Sequence, residues 1–360
     1  MKLFLTGGFL GSGKTTAIRQ ACHYLQQLNI KAGVITNDQG NQQVDTRFIK
    51  SNNIATEEVA DSCFCCNYPA FESGLKSLQQ PGHNEIIFAE SVGSCTDLAA
   101  TIINPLLQFS PGEYDIILSV FADIRLLVMH LQNNAGIFFE EVSYIYKKQL
   151  EEADIIIVNK IDLVTPMQLE AAKHIVESKY PGKKILYQNS LSQENIKEWI
   201  DIMLYRLSEP GMRKTLLIDY DIYGRGEAWL TWLDQDIIIT CADNSALHAA
   251  HLLAQKIHQN VHNGGYATGH IKFFIDTGNT QQKLSFTTLQ GEGVFETAAN
   301  KTPYVKMLVN ARVQTTPESL AKIIADAIAE TMCACPCSIT VTRQSCYIQG
   351  YPKPTHREAG

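Results

Sequence analysis

The sequence predicts an α/β protein in two parts: a doubly wound, mainly parallel sheet, followed by a smaller α+β unit. Three observations carry this expectation. Continuous apolar runs alternate with helical patterns over residues 1–207. A polar stretch containing Pro and Gly, "SEPGMRK", follows at 208–214 and reads as a linker. From 215 to 345 the order of elements changes to strands separated by only two helices. The 360 residues exceed one average domain, and 45% hydrophobic content with 19% charged residues supplies an ordinary globular core.

The strand-like runs of the first part are "KLFLT" (2–6), "KAGVIT" (31–36), "EIIFAE" (85–90), "YDIILSVF" (114–121), "ADIIIVN" (153–159) and "KKILYQ" (183–188). Between them lie amphipathic patterns such as 14–28, 144–153 and 168–180. Unbroken apolar strands are buried on both faces, which requires helices on both sides of a parallel sheet. In the second part, strands are expected near 215–220, 235–241, 270–276, 283–289, 304–310 and 338–342. Helices are expected over 245–262 and 317–332. That order suits a ferredoxin-like sandwich with additions. Residues 346–360, which include "GYPKPTHREAG", are expected to form an extended tail.

The net charge of −7 argues against nucleic acid or an anionic membrane as the main partner. No apolar run approaches the roughly 18 residues that span a bilayer. A loop with a function of its own begins at Gly8, too early to follow a leader peptide, so a reducing cytoplasm is expected. Disulfides are disfavoured there, and clustered cysteines point to metal or catalysis.

That loop, "GFLGSGKT" (8–15), fits the phosphate-loop pattern G-x-x-x-x-G-K-[ST]. Gly8, Gly11 and Gly13 let the backbone curl so that its N–H groups face phosphate oxygens, with Ser12 and Thr16 in the same contact set. Lys14 supplies a cation to the β- and γ-phosphates, and the Thr15 hydroxyl can ligate Mg²⁺. The helix opening at Lys14 adds its positive end. Strand, loop and helix stand in the order this chemistry needs, so the chain is expected to bind a nucleoside triphosphate.

"IIIVNKID" (155–162) closes an apolar strand with Asn-Lys-x-Asp. Guanine presents two adjacent donors, N1–H and the 2-amino group, that one carboxylate accepts together. Asp162 is assigned that task, Asn159 the other edge of the base and the Lys160 stem its ring face. A site built to pair donors rejects a base that lacks them. Ser190, in "NSLS" (189–192), stands where a backbone contact to the guanine carbonyl is expected. Glu90 ends a strand and can hold the water shell of Mg²⁺. Gly93 offers an N–H to the γ-phosphate, and Asp38 in "ITNDQGN" (35–41) is placed to orient an attacking water. A plain turn aspartate would look the same. No arginine finger is evident, so intrinsic hydrolysis is expected to be slow.

"DSCFCCNY" (61–68) puts Cys63, Cys65 and Cys66 into four consecutive positions. Three soft thiolates suit Zn²⁺ and other thiophilic ions, while buried packing or a disulfide remain the alternatives. Cys95, just past Glu90, is a further ligand candidate. Its ordinary alternative is a small buried residue. Cys333, Cys335 and Cys337 would share one face if extended, as a packing surface or as a second thiolate site with Cys346.

In this order and spacing, "GGFLGSGKTT", "CFCC", "ESVG" and "NKID" resemble the CobW-type metallochaperone GTPases. These are relatives of UreG, HypB and MeaB, of the SIMIBI class. The resemblance covers the first part, and the second part is similar to a CobW C-terminal domain in pattern only. It implies a GTPase that binds GTP with Mg²⁺ and a transition metal, Zn²⁺ or Co²⁺, and passes the metal to a client protein. It also implies nucleotide-dependent pairing of two copies. The switch segment departs from the family: "NDQGN" stands where N-E-F-G-E is usual, so Asn41 replaces an acid. Alternatives are a chaperone that loads or reactivates a corrinoid protein, a small-molecule kinase, and a signalling switch with merely structural cysteines.

Overall fold

The computed structural model describes residues 1–37, 44–60, 62–79, 84–132, 137–205, 211–289 and 301–360. Its first part runs β1 (Lys2–Gly8), α1 (Lys14–Gln27), β2 (Ala32–Asn37), α2 (Val44–Lys50), β3 (Ala55–Val59), α3 (Tyr68–Leu78) and β4 (Ile86–Glu90). A π-helical turn at Ala99–Ile103 leads into α4 (Asn104–Phe109). Then come β5 (Asp115–Asp123), α5 (Ile124–Leu131), α6 (Glu140–Glu152), β6 (Ile155–Asn159), α7 (Pro166–Lys179), β7 (Lys184–Gln188), α8 (Gln193–Tyr205) and α9 (Tyr220–Ala228).

The strands form one seven-stranded sheet in the order β3-β2-β4-β1-β5-β6-β7, with every pair parallel. Burial on both faces explains the continuous apolar runs. Phe4 and Phe121 pack beneath α1 and α8 with Trp199, while Leu5 and Leu118 face Phe71, Leu127 and Tyr146 on the other side. The carboxyl ends of β1, β4 and β5 lie side by side, where ligands bind in open α/β sheets.

The second part contributes β8 (Thr231–Cys241), α10 (Ala246–Asn263), β9 (Thr268–Asp276), β10 (Gln281–Phe286), β11 (Tyr304–Val313), α11 (Pro317–Ala334) and β12 (Cys337–Ile348). Its antiparallel sheet has the order β10-β9-β11-β8-β12. Without the edge strand β10 this is the ferredoxin-like split β-α-β arrangement expected from the sequence. Alternation sorts the sheet's two faces. Ile237, Phe273, Ile275 and Val309 pack under α10 and α11. The other face, with Trp232, His270, Lys272 and Arg312, turns toward the first sheet's carboxyl end.

Three local expectations need correction. Residues 215–220 form no strand, because side chains take the backbone groups. Tyr144 Oη accepts from Asp219 N (2.8 Å), and the Arg357 guanidinium donates to Leu216 O (3.1 Å). Asp219 then caps α9 through Asp221 N and Ile222 N. The strand expected at 338–342 spans twelve residues. Finally, Cys333, Cys335 and Cys337 do not share an extended segment. Cys333 lies on α11, Cys335 ends it and Cys337 opens β12, while the Cys346 thiol donates to Pro317 O (3.3 Å). Residues 350–360 form neither helix nor strand but are hydrogen-bonded to the first part of the chain. Among the described residues, no helix is long and apolar enough to cross a membrane.

Candidate functional site

The phosphate loop joins β1 to α1. Gly13 has φ 96°, and a Cβ there would lie 2.4 Å from Asn159 Nδ2, so both conformation and space require glycine. The Ser12 carbonyl accepts from that same Asn159 amide (2.8 Å), which ties the loop to the end of β6. Lys14 Nζ donates to the carbonyls of Gly8 (2.6 Å) and Phe9 (3.2 Å), folding back on the loop it would leave for a phosphate. Burial pushes Lys14 down to about 8, with the Lys272 charge adding to the effect and Glu90 opposing it.

With its pKa near 8, the unliganded lysine loses most of its charge between pH 8 and 9, and a phosphate must then restore the proton. The Lys14 contribution to nucleotide affinity should therefore be constant below pH 7 and fall by up to about tenfold per pH unit above 8. Calorimetry in buffers of different ionisation enthalpy should show uptake approaching one proton at pH 9. No uptake would mean that Lys14 stays charged in the free protein.

Thr15 Oγ1 donates to Glu90 Oε1 (2.8 Å), bringing together the two side chains expected around Mg²⁺. Glu90 Oε2 is buried and has no hydrogen-bond partner among the described residues, so an acceptor remains for a cation's water. Burial raises the Glu90 pKa, and the Asp45 charge adds to this. Gly93 packs against the Leu10 backbone. Asp38 and Asn41 lie outside the described residues.

On the base side, Asn159 Oδ1 accepts from both the amide (3.1 Å) and the hydroxyl (2.8 Å) of Ser190. Ser190 thus holds Asn159 in this structure. Lys160 has φ 64°, and its Nζ is 3.0 Å from Asp123 Oδ2. Asp162 stands exposed in the following 3₁₀ turn. Asp123, at the carboxyl end of β5, went unforeseen. It anchors both Lys160 and Arg125 (2.7 Å), and its signal was a lone acid closing an apolar strand beside the phosphate loop.

The cysteines sit one loop away. The Sγ atoms of Cys63 and Cys65 are 3.0 Å apart, those of Cys65 and Cys66 3.8 Å, and all three lie within 4.8 Å. Among the described residues this is the group compact enough to hold an ion. Hydrogen bonds from Cys65 and Cys66 hold the Cys63 thiol well below its ordinary range, whereas Cys65 is raised and Cys66 pushed up to about 11. Cys95 faces Cys63 and Cys65 but lies outside the 4.8 Å group. Glu227 of α9, missed from the sequence, is buried beside Cys63, its Oε2 has no partner among the described residues, and burial pushes it up to about 8. Residues 353–358 run across the cluster. Lys353 N–H donates to Cys66 Sγ (3.2 Å), Thr355 N–H to Cys65 O (2.7 Å), and Arg357 pairs with Asp97 (2.8 Å).

Two hydrogen-bonded links join the cluster to the nucleotide loops. Asn37, the last residue of β2, donates to Val59 O (3.0 Å) and Ser62 O (2.7 Å) and accepts from Phe64 N (2.9 Å). Gln149 of α6 donates to both Gly93 O (2.9 Å) and Cys95 O (2.8 Å).

A family model described as "CobW/HypB/UreG, nucleotide-binding domain" matches residues 2–187. The chain is 28% identical over 174 residues to the zinc chaperone YeiR of Escherichia coli (strain K12). That match covers 46% of this chain and 48% of YeiR, so the chain spans about half the length of this curated relative. Among solved structures, HypB from Helicobacter pylori in complex with nickel is 13% identical, covering 59% of this chain and 91% of that one, with a TM-score of 0.43. HypB from Archaeoglobus fulgidus is 18% identical, covering 57% and 89%, with a TM-score of 0.38.

Proposed function

Because the chain belongs to the CobW/HypB/UreG family, we propose that it is a GTP-hydrolysing metallochaperone whose nucleotide state governs how tightly it holds a transition metal for a client protein. The observation that carries this reading is the pair of links from the cysteine loop to the nucleotide loops, through Asn37 and Gln149. In this reading the phosphate loop with Lys14 positions the triphosphate, and Asp162 selects guanine. Thr15 and Glu90 would hold Mg²⁺, which neutralises phosphate charge. Catalysis of this kind is mostly positioning and electrostatics. The metal is cargo: Cys63, Cys65 and Cys66 bind it, with Cys95 or Glu227 at hand for a further position. The name of the YeiR relative supports zinc as that cargo. The half-buried Cys66 is the side from which a client would take it.

Coupling between two sites is reciprocal and typically worth about 5- to 150-fold in affinity. Titration of reduced protein with Zn²⁺, Co²⁺ and Ni²⁺, with and without a non-hydrolysable GTP analogue, should therefore reveal one site whose affinity shifts within that range. Gln149→Ala removes the donor shared by Gly93 and Cys95. It should leave each affinity within about threefold and shrink the shift between them. Metal affinity indifferent to nucleotide would overturn the coupled carrier.

A further inference from the structure

The second domain does not merely follow the first. It roofs the phosphate end of the nucleotide site. A Cβ at Gly11 (φ 72°) would meet Thr287 Cγ2 at 2.3 Å and Gly269 O at 2.9 Å, so the phosphate loop lies directly against β9 and the segment after β10. Between the domains is a small cavity, open at its mouth, with Gly11, Lys14 and Glu90 on one wall and His270, Lys272 and Arg312 on the other. The register explains that second wall. His270 pairs with Arg312 across β9 and β11, Arg312 pairs with Trp232 across to β8, and Lys272 stands one row on, opposite Asn310.

The wall has the chemistry of an anion site. Lys14, Lys272, Lys283 and Arg312 gather here against the carboxylates of Asp45, Glu90 and Asp234. Lys272 is close enough to Lys14 and Glu90 to affect the ionisation of both. Crowding buried cations is unfavourable unless an anion joins them. His270 is 4% exposed, and neither of its ring nitrogens has a partner among the described residues. A buried imidazole must carry at least one N–H, and a phosphate oxygen would accept it.

Lys272 can move without stranding Asp45. It pairs with Asp45, which also binds Lys283 (2.6 Å). Lys283 and Lys272 hold Asp45 well below the ordinary carboxylate range against the opposing effect of burial. Should Lys272 turn to a phosphate, Asp45 would keep Lys283.

We propose that Lys272 is the γ-phosphate sensor of this protein, supplied by the second domain in cis, with His270 donating beside it. GTP, but not GDP, then replaces Asp45 as the Lys272 partner and clamps the second domain onto the phosphate loop. This rests on the reading of the chain as a GTP-binding protein and adds the residue that tells triphosphate from diphosphate.

The test is the affinity of fluorescent GDP and of a fluorescent non-hydrolysable GTP analogue for the full chain. Wild type, Lys272→Ala, Lys272→Arg and Asp45→Asn are compared after melting curves confirm that each is folded. Lys272→Ala should keep GDP affinity within about twofold and lose roughly tenfold or more for the analogue, less than the 10³–10⁵ in rate that a full arginine finger supplies. Lys272→Arg should restore most of that loss. Asp45→Asn should retain analogue affinity, because it releases Lys272 toward the phosphate. Equal losses for both nucleotides in Lys272→Ala, or an Asp45→Asn variant as impaired as Lys272→Ala, would make the lysine a structural ion pair and overturn the proposal. Wild type that binds neither nucleotide would instead overturn the GTPase reading itself.

Discussion

Replacing Cys63, Cys65 and Cys66 together by serine is expected to lower zinc affinity by far more than the roughly 10- to 100-fold lost when a residue supporting a ligand is removed. Serine keeps the shape but loses the soft, ionisable sulfur that a thiophilic ion requires. The loop itself should survive. Phe64 is fully buried against Phe71, with ring centroids 4.5 Å apart, and Asn37 holds the Phe64 amide. Melting temperature and metal-free GDP affinity should therefore stay near wild type, which separates loss of ligands from loss of fold. Cys95→Ser should cost less than the triple change, since Cys95 lies outside the 4.8 Å group. Competition with a chromophoric chelator measures both. Zinc binding undiminished in the triple variant would return the cysteines to the role of packing.

The fold was legible wherever one physical rule dominated. Strands such as Ile155–Asn159 are buried on both faces, so their apolar runs could mean little except a parallel sheet. The second sheet was legible in β11, where the core residues Val305, Met307, Val309, Ala311 and Val313 largely alternate with polar ones such as Lys306, Asn310 and Arg312. Failures came where side chains from distant segments took the backbone bonds. Tyr144 and Arg357 keep 215–219 out of any sheet, and no local propensity at Leu216 or Leu217 records them. The same holds for residues 353–358, part of a tail whose composition suggests only an extended chain. Among their partners are Cys65, Cys66, Asp97 and Ala100, each more than two hundred positions earlier.

The site divides in the same way. Lys14, Thr15 and Glu90 stand in motifs whose spacing reflects contact with one ligand, and the structure brings Thr15 and Glu90 together. Lys272, His270 and Glu227 belong to no motif. Their relation to the phosphate loop and the cysteines arises from how the second sheet and α9 dock, and docking is not written in local periodicity. "GHIKFF" (269–274) reads as a half-buried strand, and nothing in it says that its polar face meets the phosphate loop rather than water.

Asp162→Ala is expected to lower GTP affinity on the order of a thousandfold while leaving ATP affinity unchanged, short of the 10⁴–10⁵ discrimination of a site built to pair its substrate's donors. Asp162 is the right position because no hydrogen bond or ion pair ties it to another of the described residues. It is exposed in the turn after β6, beside Lys160, which Asp123 fixes in place. Its loss should leave the melting temperature unmoved. Asn159 makes the contrast. Its side chain serves Ser12 O, Ser190 N and Ser190 Oγ inside the protein, so Asn159→Ala strands buried groups and should cost roughly 1–3 kcal/mol of stability. A loss of GTP binding in that variant would mix damage to the phosphate loop with damage to base recognition. Comparing the two with GTP, ATP and inosine triphosphate separates the effects, because inosine lacks the 2-amino group that Asp162 is assigned. Wild type should prefer GTP to inosine triphosphate, and Asp162→Ala should treat them alike. If Asp162→Ala weakens ATP as much as GTP, the carboxylate is not reading guanine, and base selection must lie elsewhere on the rim above Asn159.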